Sequence, residues 1–453
     1  MEQKRGSFVG KLSAVLVAAG SAVGLGNIWR FPSLAADNGG GAFLVIYLLC
    51  VLLLGVPLIW AEFSVGRSTQ LGAVGAYRTL NKRWGFIGYF GVLAAFLLLG
   101  FYYVVSGWTL EYFVESINGN LSKYSTPEEY RLLFDSFKTA TWKPLLFAWA
   151  FILITHFVIA QGVQKGIEKC SNVLMPLLFV ILFVMAIHSV LMPGGVEGLK
   201  FFFKPDFSAI STGTILAAMG QAFFSLSIGM GCMVTYASYF NRETNLKTTG
   251  LQVTMLDTLV AITAGIIIFP AAFSVGIFQA GETPMAGPGL IFITLPAIFN
   301  SLPWSMLWSA IFFLLIIVAA LTSTISIHEV VAAYLNEEWK IERKWSNWLS
   351  TAGMFVVATL ASLSLGVLMN DCRIFGLTFF DLFDYVTANL LLPIGGFCTS
   401  IFVGWVLDKK FLERELTNDG KLGGKIVPVV RFMLRWLCPL IVFAIFLDTM
   451  GII

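Results

Sequence analysis

The residues of this chain best placed to do chemistry cluster around two short runs of closely spaced glycines. These are SAVGLGN at 21–27 and SLSIGMG at 225–231, each inside a long uncharged stretch. Interrupting an apolar helix frees amide N–H groups at the positive end of a half helix, which suits a carboxylate, and frees carbonyl oxygens, which suit a cation. One break can therefore serve both charges of a zwitterion. A glycine run can also be a packing face between membrane helices, but two breaks in corresponding segments favour binding. They lie five apolar segments apart, as expected of a five-plus-five inverted repeat whose paired broken helices surround a site at the bilayer midplane.

Other candidates are ionisable side chains in apolar surroundings. Asp257 stands in a run otherwise uncharged as far as Gly281, a position that is functional unless it falls at the membrane interface. Arg30 and Asp384 are opposite charges in distant segments. Glu62 could accept hydrogen bonds from the unwound first helix or be a head-group carboxylate near Arg67. Thr322 and Ser323, taken alone, read as hydroxyls that bond back onto their own helix. The histidines, His156, His188 and His328, are scattered, and the His328-Glu329 pair has no second histidine four residues on, so no zinc motif results. Ser225, Ser227 and Asp257 have no nearby histidine or lysine to complete a nucleophilic set, which argues against an enzyme.

The elements that must position these residues are membrane helices. Of 453 residues, 57% are hydrophobic and 12% charged, and mean hydropathy is +0.83. That is about half the charged fraction of a soluble domain, which excludes a water-soluble enzyme. A net charge of +3 without a basic run gives no footprint for nucleic acid. Uncharged runs predict eleven spans, at 11–37, 41–68, 86–114, 144–162, 167–190, 212–240, 249–277, 304–335, 346–368, 376–405 and 429–451. The basic N-terminus followed by VAAGSA mimics a secretory signal, but apolar sequence continues past Arg30, so it is kept as a first span. With the N-terminus cytoplasmic, 21 basic residues fall inside and seven outside, which sets the C-terminus extracellular in a multi-pass cell (inner) membrane protein. The connection 115–143 is expected to be a surface loop, and the proline-broken 278–303 a re-entrant or capping segment.

The segments SAVGLGNIWRFPSLAADNGGGAF, PLIWAEFSVGR, GQAFFSLSIGMG and ALTSTIS resemble the neurotransmitter:sodium symporter family, with its leucine-transporter fold, over nearly the whole chain. The eleven-span length and the Gly166-x9-Pro176 spacing further resemble a bacterial multi-hydrophobic amino acid transporter of that family. The resemblance implies an all-α polytopic fold with broken helices 1 and 6, repeats at 1–190 and 191–405, and a cytoplasmic loop with span 11 at 406–453. It implies a symporter with about two sodium ions, no organic cofactor and no obligatory protein partner, importing hydrophobic and aromatic L-amino acids across the lipid bilayer by alternating access. A proton-coupled permease of the same fold and a non-transporting sensor are the alternatives.

By the same resemblance, one sodium would meet the carbonyls of Gly20, Val23 and Ala319 and the hydroxyls of Thr322 and Ser323. The other would meet Ala22, Asn27, Ser225, Asp257 and the substrate carboxylate. That carboxylate would also meet the amides of Leu25 and Gly26 and the Tyr102 hydroxyl. The ammonium would meet carbonyls of Ala22, Phe224 and Ser225 and the Ser227 hydroxyl. Leu98, Phe224, Met230 and Ile327 would line the apolar side, with Met230 in place of the phenylalanine of the GFG version of the motif. A thioether between two glycines predicts a pocket that accepts several large side chains, tryptophan included. Arg30 and Asp384, assisted by Gln221, would close the outer gate. Lys4 and Arg5 could latch the inner mouth. Gly166 and Pro176 would let the fifth helix unwind and release sodium. A fixed carboxylate at Asp257, where chloride-requiring relatives carry neutral side chains, implies chloride independence.

Overall fold

The computed structural model describes residues 8, 10–274, 288–369 and 371–449. Backbone groups in hydrocarbon need partners within their own segment, so the apolar runs fold as helices. Among the described residues the only β pairings are the isolated bridges Gly40–Pro205 and Ile374–Leu377. Among the described residues eight helices are long and apolar enough to span a membrane: Gly41–Thr69, Lys82–Ile117, Lys143–Ala160, Val163–Val190, Leu246–Ser274, Ser305–Glu338, Phe379–Val406 and Val427–Ala444. Lys11–Ala22 and Gly26–Asp37 form a ninth span, bent by 57° at a short break.

Nine spans by length and apolarity, rather than eleven, has a physical reason at each missing position. The expected sixth span is divided into Thr212–Ser225 and Cys232–Ala237, 14 and 6 residues, each too short to cross alone. The expected ninth, Arg343–Leu363, is long enough at 21 residues, but Ser346, Asn347, Ser350 and Thr351 give one buried face polar character.

That polar face holds a scaffold together. The hydroxyls of Tyr103 and Ser350 bracket the His328 ring at 2.8 and 2.9 Å, and Thr351 meets His156 Nδ1 at 2.7 Å. Four helices are thereby cross-linked by hydrogen bonds in a medium where unpaired polar groups are costly. Close backbone approach adds to this: a Cβ at Gly107 would lie 2.5 Å from the Ala148 nitrogen.

One expectation changes and two others gain detail. The connection 115–143 is not simply a loop, because Pro127–Thr139 is a helix with a Thr126/Glu129 capping box and Tyr130, Phe134 and Phe137 buried beneath it. Amides of Ser125 and Thr126 hold the Glu129 carboxyl below the ordinary range. Of 278–303, residues up to 287 lie outside the described residues, while Leu290–Asn300 is a short apolar helix. Its Phe292 stacks on Phe134 at 5.1 Å, so this part caps the outer end. The fifth span is wound, not open: a wide turn at Val163–Glu168 holds Gly166, and Pro176 lies within the continuous helix Lys169–Val190.

Candidate substrate and sodium site

The first helix stops at Ala22 and resumes at Gly26 with a wide turn. Glycine is required between: a Cβ at Gly24 would lie 2.5 Å from Ser323 Oγ and 2.6 Å from the Tyr102 hydroxyl, and one at Gly26 would lie 2.8 Å from the Phe224 ring. In the sixth segment the helix stops at Ser225, and the chain turns through positive φ at Ser227, Gly229 and Gly231 (53°, 86° and 76°) before Cys232.

The two breaks face and hold each other. Ser227 donates its hydroxyl proton to the Ser21 carbonyl at 3.0 Å, and the Gln221 amide donates to the Gly26 carbonyl at 3.0 Å. Gln221 thereby braces the first break. Glu62, 1% exposed, accepts from the Gly229 amide at 2.8 Å, so it supports the sixth break and not the first. Arg67 is no partner for it, since its Nε donates to Glu415 at 2.8 Å.

Between the breaks lies a cavity of about 20 Å³, lined by Ala22, Gly26, Leu98, Tyr102, Phe224, Ser225, Ser227, Met230 and Ile327, together with Ser21, Gly24 and Ser323. This is room for little more than one water. Nine of the ten expected substrate residues meet there. Leu25 does not line it; its side chain is buried elsewhere in the core, and its amide donates to the Tyr102 hydroxyl at 3.0 Å.

Two groups of oxygens flank the cavity. On one side Asn27 donates to Ser225 Oγ at 2.9 Å and to the Asp257 carboxylate at 2.7 Å, and Ser225 donates to the other carboxylate oxygen at 2.8 Å. Asp257 is fully buried, not interfacial. On the other side Ser323 reaches across to the Val23 carbonyl at 2.8 Å, while Thr322 bonds back to Ala319 at 3.0 Å. A Cβ at Gly20 would meet the Thr322 Cβ at 3.3 Å and Met175 Sδ at 3.4 Å, so Gly20 belongs to the same group. Carbonyl, hydroxyl and carboxylate oxygens suit a hard monovalent cation. No cluster of three or more His, Cys, Asp or Glu occurs among the described residues.

Above the breaks is a cavity of about 650 Å³ bounded by Arg30, Phe101, Phe224 and Asp384. Arg30 and Asp384 face it without forming an ion pair; the guanidinium lies 4.6 Å from the Phe224 ring centroid, and Arg30 and Phe224 floor the vestibule. Below, the chain is packed shut. Lys4 and Arg5 lie outside the described residues, but Phe8 packs edge to face against Tyr236 and Tyr239, and its amide donates to the Tyr239 carbonyl at 3.1 Å. Tyr239 donates to Glu329 at 2.7 Å, and Arg343 grips the same carboxylate in a fork of 2.7 and 2.5 Å. Phe8, Tyr239, Glu329 and Arg343 form this inner closure; only Glu329, an acid inside the 304–335 run, carried a signal in the sequence.

Facing helix breaks, flanking oxygen groups and a vestibule on one side of a sealed mouth define a membrane carrier. The chain belongs to the Sodium:neurotransmitter symporter family, whose profile matches residues 5–132 and 134–452. It is 39% identical to an uncharacterized sodium-dependent transporter, YhdH, of Bacillus subtilis, over 100% of this chain and 99% of the relative. It is 32% identical to one of Haemophilus influenzae, over 99% of each. The crystal structure of MhsT in complex with L-phenylalanine superposes with a TM-score of 0.89 at 39% identity, covering 98% of this chain and 100% of MhsT. The protein is thus a multi-pass, sodium-coupled transporter and not an enzyme.

Glu62→Leu, which strands the buried Gly229 amide, should lower stability by about 1–3 kcal/mol, whereas Glu62→Gln, which keeps an acceptor, should retain most of it. Thermal unfolding in detergent measures the difference; equal losses from both would show that the Gly229 contact is not what matters.

Proposed function

We propose that this transporter imports hydrophobic and aromatic L-amino acids, each with two sodium ions, by alternating access between the vestibule and a cytoplasmic mouth. The observation that carries the substrate class is the make-up of the small cavity. Its lining combines hydroxyls, among them Tyr102, which accepts from the Leu25 amide at 3.0 Å, with the apolar side chains of Leu98, Phe224, Met230 and Ile327. No charged side chain lines it, so a zwitterion would be held by dipoles and by its sodium ions. Accommodating a large side chain requires Met230 and Phe224 to move, and a flexible thioether between two glycines can do so at low cost. MhsT, the protein of similar structure, was crystallised with L-phenylalanine.

Sodium would enter at Gly20, Val23, Ala319, Thr322 and Ser323, and at Ala22, Asn27, Ser225 and Asp257. Each ion supplies about 2.3 kcal/mol per 100 mV and about 1.4 more per tenfold gradient. Two ions allow roughly 10⁵-fold accumulation and one only a few hundredfold. Arg30 and Asp384 would approach over the occupied site to close the vestibule. Unwinding between Gly166 and Pro176 would move Met175 from Gly20 and let water reach the inner sodium. The two repeats, 1–190 and 191–405, would rock against each other, with 406–453 outside them. The excess of basic residues on one face orients the chain with its N-terminus cytoplasmic and its C-terminus extracellular.

Proteoliposomes should accumulate labelled phenylalanine and tryptophan when sodium is outside, and not when lithium or potassium replaces it. Uptake of alanine or glutamate without tryptophan would overturn the substrate class; tryptophan uptake driven by a proton gradient alone would overturn the coupling.

The fixed charge of Asp257 beside Asn27 and Ser225 is what would make transport chloride-independent. Asp257→Asn should weaken sodium-dependent phenylalanine binding about tenfold in gluconate, with chloride restoring part of it, while the wild type is indifferent to the anion. A chloride requirement in the wild type would contradict this role.

A further inference from the structure

A cluster outside the carrier site is built where two spans leave the membrane on the face that collects the basic residues. Wide turns at Phe402–Val406 and Met433–Leu437 lie side by side, so close that a Cβ at Gly404 would sit 2.9 Å from the Arg435 Cα. Here they put the Arg435 guanidinium 3.8 Å from the Trp405 ring centroid and 5.9 Å from that of Trp436. The two indoles meet edge to face at 4.7 Å, and Trp405 is fixed by donating its N–H to the Arg435 carbonyl at 2.8 Å.

The caged cation has no counter-ion among the described residues. Among the described residues no carboxylate or carbonyl accepts from the Arg435 guanidinium, and its Nε is buried without a partner. Arg431 gives one N–H to the Lys409 carbonyl at 2.9 Å, and Lys409 and Lys410 are exposed beside it. The nearby carboxylate, Asp408, already caps the Lys410 amide at 2.6 Å. Away from this charge run Phe432, Trp436 and Leu440, four residues apart and 62%, 47% and 65% exposed, an apolar ridge along which an acyl chain can lie.

We propose that this cluster is a binding site for a phospholipid with an anionic headgroup, the phosphate meeting Arg435, Arg431 and Lys409 and one acyl chain following the Phe432–Leu440 ridge. Basic pockets between helices at the cytoplasmic surface recognise anionic headgroups, and indoles anchor at the same depth. A zwitterionic lipid offers the same acyl contact without the net charge, so the cluster discriminates between the two.

Native mass spectrometry of the full-length protein, released from detergent with phosphatidylglycerol or phosphatidylcholine, tests the proposal. Phosphatidylglycerol adducts should persist at about fivefold lower lipid concentration, and Arg435→Gln should abolish that preference while Lys340→Gln leaves it intact. If Arg435→Gln does not fold, Arg431→Gln combined with Lys409→Gln keeps the tryptophan cage and should reduce the preference in the same way. Equal retention of the two lipids, an unchanged preference in the variant that folds, or displacement of phosphatidylglycerol by millimolar inorganic phosphate would overturn it. So would a lipid-independent dimer lost in Arg435→Gln, which would make the face a contact between copies.

Discussion

Everything in this structure depends on how buried backbone polar groups are satisfied where no water is present. A continuous helix answers the demand residue by residue, and this chain departs from it at two places that matter, 23–25 and 226–231. Each break is tolerable because the other lies opposite. Ser227 closes on the Ser21 carbonyl, Gln221 on the Gly26 carbonyl, Glu62 on the Gly229 amide and Ser323 on the Val23 carbonyl. The hydroxyls of Ser21, Tyr102, Ser225, Ser227 and Ser323 line a space between them that is barely large enough for a water. On the function proposed above, that is where a zwitterion and its sodium ions would be held.

The two ends of the site are built differently. Above, Arg30 and Asp384 share a vestibule and remain apart; below, Phe8, Tyr239, Glu329 and Arg343 are interlocked. On the proposed cycle, opening the mouth at Phe8 would break the forked Arg343–Glu329 pair, while closing the vestibule would bring the two facing charges together. Sodium-coupled transport requires such an asymmetry to reverse once per cycle. The wound fifth helix, with Met175 against Gly20, belongs to the same sealed inner half.

Much of this was legible in the sequence, for reasons that differ by element. The helix breaks showed because glycine triplets in an apolar run have few other uses, and Asp257 because an isolated charge in such a run is expensive. Of the nine expected pocket residues that meet there, Ala22, Gly26, Phe224, Ser225, Ser227 and Met230 flank the breaks, whereas Leu98, Tyr102 and Ile327 were implied by the family resemblance alone. Leu25 does not line the cavity with its side chain, but its amide, the group expected to act, meets the Tyr102 hydroxyl that does. The partner of Glu62 could not be read, because either break offers free amides. The helix at Pro127–Thr139 was hidden by its polarity, although Thr126-Pro127-Glu128-Glu129 is a capping signature. Phe8 and Arg343 carried no local signal, since a terminal phenylalanine and an interfacial arginine are ordinary until a fold joins them through Tyr239 and Glu329.

Hydrogen exchange at the backbone amides of 23–26 and 226–231 measures the central claim most directly. Without ligand these amides should exchange much faster than those of Ser305–Glu338, and they should become protected only when sodium and L-phenylalanine are present together. Slow exchange in every condition, as in unbroken helix, or equal protection by phenylalanine with potassium in place of sodium, would contradict the account.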